Sequence, residues 1–439
     1  MNRRWEILLL FLAALAVGVS VIVSIAYPTF AAVLVGLVAG LLLLRFPGVF
    51  ALVCGATLPF AASLALNTPL GAFSFADMAA IGGVLAVVLV DGKIRALFTE
   101  VRVGLWLLVA YLAVATLTAL AVAAPSAAYA TVLQRLELVG VWLLFGVIVV
   151  RKGAWKWFVT AFAAASIVLA LAWIASPGEG AVLGVQKNPS GSMLAAAIIL
   201  VMFWGVRWYL KLAVVAVLAG GLVASGSRGS IIGLAVAAVV ILVFAKQWRR
   251  TFVPLAVLAG VGVVALQVLP AQVVDRLFGG TSDAQYTSDI RYVFIRDALA
   301  QWNDNPLGVG VGQYRQIAAA LQRIATHDPH NVYVLALVEG GIPLLIAFTV
   351  LAGGSLIWLL TMKKDVLVVA ALAVQVSLLV HASVDVYWVR GTASIGWMLV
   401  GVAAATAAAG GRGAVRDVVA NNVWPPSDVG AQKRKAHVS

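Results

Sequence analysis

Asp328-Pro329-His330-Asn331 stands directly before a long apolar run. Asp is a favoured N-cap and Pro a favoured first helical residue, so the spacing predicts a helix starting near Pro329 with His330 in its first turn. Unbonded N–H groups make a helix start positive. Such an end welcomes an anion and suits an uncharged imidazole, the form that serves as a general base. An interfacial histidine without chemistry fits the same residues. Ser225-Gly226-Ser227-Arg228-Gly229-Ser230 lies where one apolar run ends and the next begins. Its small residues allow close backbone approach, and a guanidinium fork gives phosphate two parallel hydrogen bonds. An arginine snorkelling to lipid headgroups fits there as well.

Further charges fall in or beside apolar runs. Arg291 and Arg296 are five apart and do not share a helix face; a solvated charge is the better reading of Arg296, Arg315 and Arg323. Arg135 and Glu137 sit inside a run and point to different sides of a helix, so each needs a partner on another helix or a polar cavity. His381 and Asp385 are four apart and can touch. Asp385 could orient His381, although a mutually satisfied structural pair is favoured. Lys187-Asn188-Pro189-Ser190 adds one more cation before a run.

The elements that must position these residues follow from composition. Of 439 residues 63% are hydrophobic and 11% charged, and the mean hydropathy is +1.05. A soluble domain carries about 25% charged residues, and a membrane barrel alternates polar with apolar. Both are excluded, as is a polar disordered chain. What remains is an all-α polytopic membrane protein. At roughly 20 apolar residues per crossing, spans are read near 6–26, 29–45, 48–66, 75–91, 98–122, 128–150, 154–175, 192–207, 209–226, 229–246, 252–269, 331–361, 366–388 and 391–410, or about 12–14 in all. The first is read as an uncleaved span. With the N-terminus inside, 21 of the 30 Lys and Arg face the cytoplasm, eight face outward and Arg135 lies within a span. That asymmetry sets the orientation and gives the +13 net charge a membrane meaning, not a nucleic-acid one. Residues 1–269 are thus expected to form N-terminal membrane helices, 270–330 an outer loop, 331–410 C-terminal membrane helices and 411–439 a basic cytoplasmic tail.

The outward cations cluster mainly in the loop, and long loops without a function are uncommon. Within it, Ser288-Asp289 can cap a helix running to about Trp302, with Arg291, Ile295, Ala298 and Trp302 on one stripe. A second amphipathic helix fits Gln313 to Ala325, with Tyr314, Ile317, Leu321 and Ile324 on its apolar side. Other chemistries lack their motifs. His327 and His330 have no acidic triplet nearby, the glycines at 308, 310 and 312 follow no strand, and there is no P-loop or G-x-S-x-G. The single cysteine, Cys54, can form no internal disulfide.

Several segments, in order, resemble the O-antigen ligase and O-antigen polymerase superfamily of bacterial membrane glycosyltransferases. Ser227-Arg228-Gly229 is similar to its S-R-G. Arg291 through Ala300 with Asn305-Pro306-Leu307-Gly308-Val309-Gly310 resembles its R-x-x-x-W-x-x-A and P-L-x-G-x-G. Pro329-His330-Asn331-Val332-Tyr333-Val334-Leu335 with Glu339-Gly340-Gly341-Ile342-Pro343 resembles its H-N-x-Y-L and E-x-G, and Gly184 to Pro189 its looser G-x-x-x-N-P. Ser190 stands where the family often has a second Asn. The resemblance implies a GT-C-like helical fold. It also implies an inverting, single-displacement transfer of a glycan from undecaprenyl pyrophosphate on the outer face of the bacterial inner membrane, with both termini cytoplasmic and without metal, nucleotide or other cofactor. His330 is then the expected base, with Arg228 and Arg291 on the diphosphate, Arg135 a third binding candidate and Glu339 structural. The expected partners are the lipid-linked donor, a lipid A-core or glycan acceptor and membrane lipid, with no nucleic acid. Ligase is preferred to polymerase because the outer loop is single and moderate in length. A general glycoprotein ligase is a further possibility, and a lipid-linked oligosaccharide flippase is the alternative from another class. A membrane scaffold would leave the outward arginines unexplained.

Overall fold

A computed structural model describes residues 38, 45–68, 71–90, 94–120, 125–244, 256, 260, 264, 267, 282–320, 328–385 and 387–410. The spans expected at 6–26, 29–45 and 252–269 lie wholly or largely outside these residues, as do the tail at 411–439, Arg276, Arg323 and His327.

The chain is an all-α polytopic membrane protein, and its described residues include two small β-hairpins. Its elements are α1 (Pro47–Thr57), β1 (Ala65–Thr68), β2 (Gly71–Ser74), α2 (Phe75–Val90), α3 (Ile94–Glu100) and α4 (Arg102–Leu120). Next comes α5, made of Pro125–Leu136, a π-helical turn over Glu137–Val141, and Trp142–Arg151. It is followed by α6 (Trp155–Ala175), β3 (Ala181–Val182), β4 (Val185–Gln186), α7 (Lys187–Met202), α8 (Trp208–Ser225) and α9 (Arg228–Phe244). The loop contributes α10 (Ser282–Asp304) and α11 (Tyr314–Ala320), and the chain returns as α12 (Val332–Thr361), α13 (Val366–Ala382) and α14 (Thr392–Gly410). Among the described residues six helices are long and apolar enough to cross a bilayer: α4, α5 from Ser126, α6, α8, α12 and α14 to Ala409. Trp106, Leu117, Val239, Val243 and Ile357 stay exposed, as lipid-facing side chains do.

Several expected boundaries shift. The span read at 48–66 is α1 with a short 3-10 turn, and β1 at 65–68 pairs with β2 at 71–74, Ala65 opposite Ser74. The span read at 192–207 is a helix starting at Lys187, so Lys187-Asn188-Pro189-Ser190 is a first helical turn rather than a loop. Pro189 explains this, because proline near a helix start has no donor to lose. The first loop helix begins at Ser282, before the expected Ser288-Asp289 cap. The second ends its described course at Ala320.

With lipid outside the bundle, helix association rests on close packing of small residues. α5 and α14 lie together with Gly146 against the Met398 carbonyl and Gly401 against the Leu143 carbonyl. A methyl group at either place would strike backbone, which cannot rotate away. In an isolated helix Gly→Ala gains roughly 1 kcal/mol; overpacking costs about 1–3 kcal/mol or more. Gly146→Ala is therefore expected to lower the unfolding midpoint in detergent, and a raised midpoint would show that the two helices can part. At the far end of α12, Lys364 Nζ donates to the carbonyls of Leu359, Leu360 and Met362 at 2.9, 2.6 and 3.0 Å. It satisfies acceptors that a helix C-terminus leaves open.

Candidate functional site

The expected long span at 331–361 is not one continuous helix. Gly340 (φ −143°, ψ 21°) and Gly341 (φ 63°, ψ −163°) break it one residue after Glu339. The glycine-rich strap after α10 docks on this break. Val309 N–H donates to the Val338 carbonyl at 2.9 Å and Gly310 N–H to the Glu339 carbonyl at 2.7 Å. Gly308 and Gly341 both have positive φ and lie against each other's backbone neighbours, so a side chain at either would be strained and without room. A small apolar cluster of Ala298, Tyr314, Ala318, Leu335 and Val338 seals α10 and α11 onto the first half of α12.

His330 lies just outside α12. The helix is capped by Asn331, whose Oδ1 accepts from the Tyr333 and Val334 N–H groups at 3.0 and 3.1 Å, and it starts at Val332. The expected Asp328 cap and Pro329 start are corrected accordingly. Asp328 instead faces Arg315, which donates from Nη2 at 2.8 Å and from Nε at 3.3 Å, and its Oδ1 accepts the His330 N–H at 3.0 Å. His330 takes a left-handed backbone, φ 49°. That costs a non-glycine residue roughly 1–2 kcal/mol, and such strain clusters at functional sites. Asn331 Nδ2 also donates to the Ser383 carbonyl at 2.8 Å, tying the start of α12 to the end of α13.

Between these helix ends lies a carboxylate shared by two imidazoles. His330 Nδ1 is 3.0 Å from Asp385 Oδ1, and His381 Nε2 is 3.5 Å from Asp385 Oδ2. His381 Nδ1 lies 2.9 Å from Ser230 Oγ, which lies 2.9 Å from Ser227 Oγ. The His381–Asp385 pair foreseen from its spacing is therefore half of a larger arrangement, and Asp385 engages His330 as well. Asp385 is buried, whereas the His330 side chain retains 23% exposure, with Nδ1 bound and, among the described residues, no hydrogen-bond partner at Nε2.

Arg228 is the first residue of α9 and is half-buried. Arg291 is on α10, one turn before Phe294, whose ring lies over that of His330 with centroids 6.1 Å apart. The charge of Arg291 acts on Arg228, like against like. Among the described residues neither guanidinium has an acidic partner. A cation at a helix start, within electrostatic reach of a second one, suits an anion. α7 borders the same spot, with Gly191 packed against Ser227 and Ser230.

Arg135 is not part of that pair. It is buried, 3.8 Å from Glu339 Oε2, with its guanidinium carbon 3.9 Å from the Trp388 ring centroid. Glu339 Oε1 accepts the Gly312 N–H at 2.9 Å, so this carboxylate ties the strap, the helix break and α5 together. Glu137, two residues on, turns elsewhere. Arg390 Nη1 donates to Glu137 Oε2 at 3.0 Å and to Asp77 Oδ2 at 2.6 Å. Trp142 Nε1 lies 3.1 Å from both Asp77 Oδ1 and Glu137 Oε1. Each charge in α5 thus finds its partner on another element, as a charge at membrane depth must. Arg390→Leu would leave two buried carboxylates without a cation and should cost about 3–5 kcal/mol. Unfolding in detergent would measure it; adding Asp77→Asn and Glu137→Gln should recover most of the loss, and no recovery would refute the charge argument.

Sequence reasoning had no means to join Asp385 to His330, which lies 55 residues away. No curated protein matches the chain. Residues 212–349 match the family model described as O-antigen ligase, a segment that contains Arg228, Arg291 and His330. That match supports a glycosyltransferase-type enzyme of the ligase or polymerase kind, with a lipid-linked glycan and an acceptor as partners in general terms. The matched segment, about a third of the chain, supports a likeness to the O-antigen ligase and polymerase superfamily.

Proposed function

We propose that the chain is an inverting glycosyltransferase, independent of metal, that moves a glycan from undecaprenyl pyrophosphate to an acceptor sugar on the outer face of the bacterial inner membrane. Both termini then lie in the cytoplasm. An acceptor hydroxyl oxygen attacks the anomeric carbon while the bond from that carbon to the diphosphate oxygen breaks, and the electron pair leaves with the diphosphate. His330 Nε2 takes the hydroxyl proton. Arg228 and Arg291 offset the negative charge that grows on the leaving group, the place where fixed positive charge lowers a barrier most. Arg135 acts from below, holding Glu339 and through it the strap, so its part is indirect. The reading is carried by one arrangement: His330, whose Nδ1 is held by Asp385, stacks on Phe294 one turn from Arg291, while Arg228 stands between the serines that reach His381, and among the described residues neither arginine has an acidic partner.

The acceptor is read as lipid A-core, which makes the protein an O-antigen ligase. Polymerisation onto a second lipid-linked glycan is the same chemistry with another acceptor. Purified protein supplied with undecaprenyl-pyrophosphate glycan and lipid A-core tests the first reading, with Arg228→Ala and His330→Ala as controls. Normal turnover in both variants would remove the proposal. Mass spectrometry of surface glycans from a deletion strain separates the acceptors: uncapped core with polymer retained means ligase, and single-repeat product means polymerase. Glycan transport across reconstituted vesicles without transfer would favour a flippase.

A further inference from the structure

We propose that His381 is a positioning residue for the base, joining the His330–Asp385 pair to the serines on either side of Arg228. The inference rests on the reading of His330 as the base. Its starting point is the directions in which these groups can donate. A carboxylate only accepts, and a neutral imidazole has one N–H and one lone pair. His330 therefore points an N–H from Nδ1 at Asp385 Oδ1, 3.0 Å away, and keeps its lone pair on Nε2. His381 faces Asp385 with Nε2, so its N–H belongs there and its Nδ1 accepts. Ser230 then donates its O–H to His381 Nδ1 and accepts from Ser227, both at 2.9 Å. Every group in the chain finds a consistent role, and the two histidines hold opposite tautomers.

The packing favours this arrangement. His381, Asp385, Ser227 and Ser230 are all buried. Asp385 stands in a turn beyond the end of α13, and His381, in the last turn of α13, meets its second carboxylate oxygen. Gly229 gives His381 its room, because a Cβ there would meet His381 Nδ1 and Val384. The 3.5 Å link from His381 to Asp385 is long. Contacts of this length between catalytic groups commonly tighten into hydrogen bonds when the reacting complex forms. The S-R-G-S segment thereby has two tasks: its arginine faces the leaving group, while its serines end the chain that orients the base.

The full-length protein tests this with His381→Ala, His381→Gln and His381→Asn. Outer partners that orient a ligand imidazole are worth about 10–100-fold, so alanine should lower kcat by about tenfold or more with KM for the donor within about twofold. Glutamine places its amide nitrogen where Nε2 was and should recover more of kcat than asparagine, which reaches only toward Ser230. A residue that merely fills space would give equal recovery, or a kcat loss that follows the unfolding midpoint; either result overturns the proposal. If alanine does not fold, the glutamine–asparagine comparison decides. Imidazole 15N shifts of His330, assigned with His330→Asn, give a readout that needs no substrate. Wild-type protein should show the Nδ1–H form alone and His381→Asn a mixture. An unchanged tautomer in His381→Asn would overturn the inference even if no transfer were ever seen, and absent transfer with the expected shifts would sink only the functional reading.

Discussion

His330→Asn should lower the turnover of glycan transfer by about 10²–10⁴-fold, the range a positioned general base contributes. Asparagine is the informative replacement. It tolerates the left-handed backbone that His330 occupies, φ 49°, and its amide can donate to Asp385 as Nδ1 does. The fold and the Asp328 and Asp385 contacts should therefore survive, while no group remains that can accept the acceptor proton in the way Nε2 does. The loss should appear in kcat, with binding of the lipid-linked donor little changed, because Arg228 and Arg291 are untouched. Single-turnover transfer alongside direct donor binding separates the two. Turnover within tenfold of wild type would mean that another group, or water alone, removes the proton.

Much of this was legible in the residues, and the failures have physical causes. Composition and the distribution of Lys and Arg lead to an all-α membrane protein, because a lipid environment allows few alternatives. The three short motifs lead to Arg228, Arg291 and His330, because arginine and histidine near apolar runs are costly and need a reason to be there. The start of α12 was misplaced because two residues three apart, Asp328 and Asn331, can both cap a helix. Arg315 draws Asp328 away, and that contact spans thirteen residues. The break at Gly340-Gly341 disappears in any reading by mean hydropathy, although two glycines and Pro343 mark it. Of the paired strands 65–68 and 71–74, only Ala65 and Leu66 fall inside an expected span, and the short strand pairing beside it has no periodic signal of its own. The partners of Arg135, Glu137 and His330 are not local at all. Glu339, Arg390 and Asp385 reach them only once the helices are packed, so spacing along the chain could state the need for a partner without naming it.

The arginines lead to an expectation that couples activity with stability in opposite directions. Arg228→Ala or Arg291→Ala should each reduce kcat by about 10²–10³-fold, the usual loss when one group that faces developing charge is removed. Arg228→Lys should recover only part of it, since an ammonium keeps the charge but not the two-pronged geometry. The two like charges act on each other, however, and among the described residues no carboxylate offsets them. Removing either should leave the unfolding midpoint unchanged or raise it, unlike Arg390→Leu, which strands buried carboxylates. Inorganic pyrophosphate supplies the matching binding test. It should protect wild-type protein against thermal unfolding and protect Arg228→Ala and Arg291→Ala far less, with protection weakening as salt is added. A variant that loses activity together with stability, or that keeps full protection by pyrophosphate, would mean that these arginines hold the fold or face lipid, and that the leaving group is stabilised elsewhere.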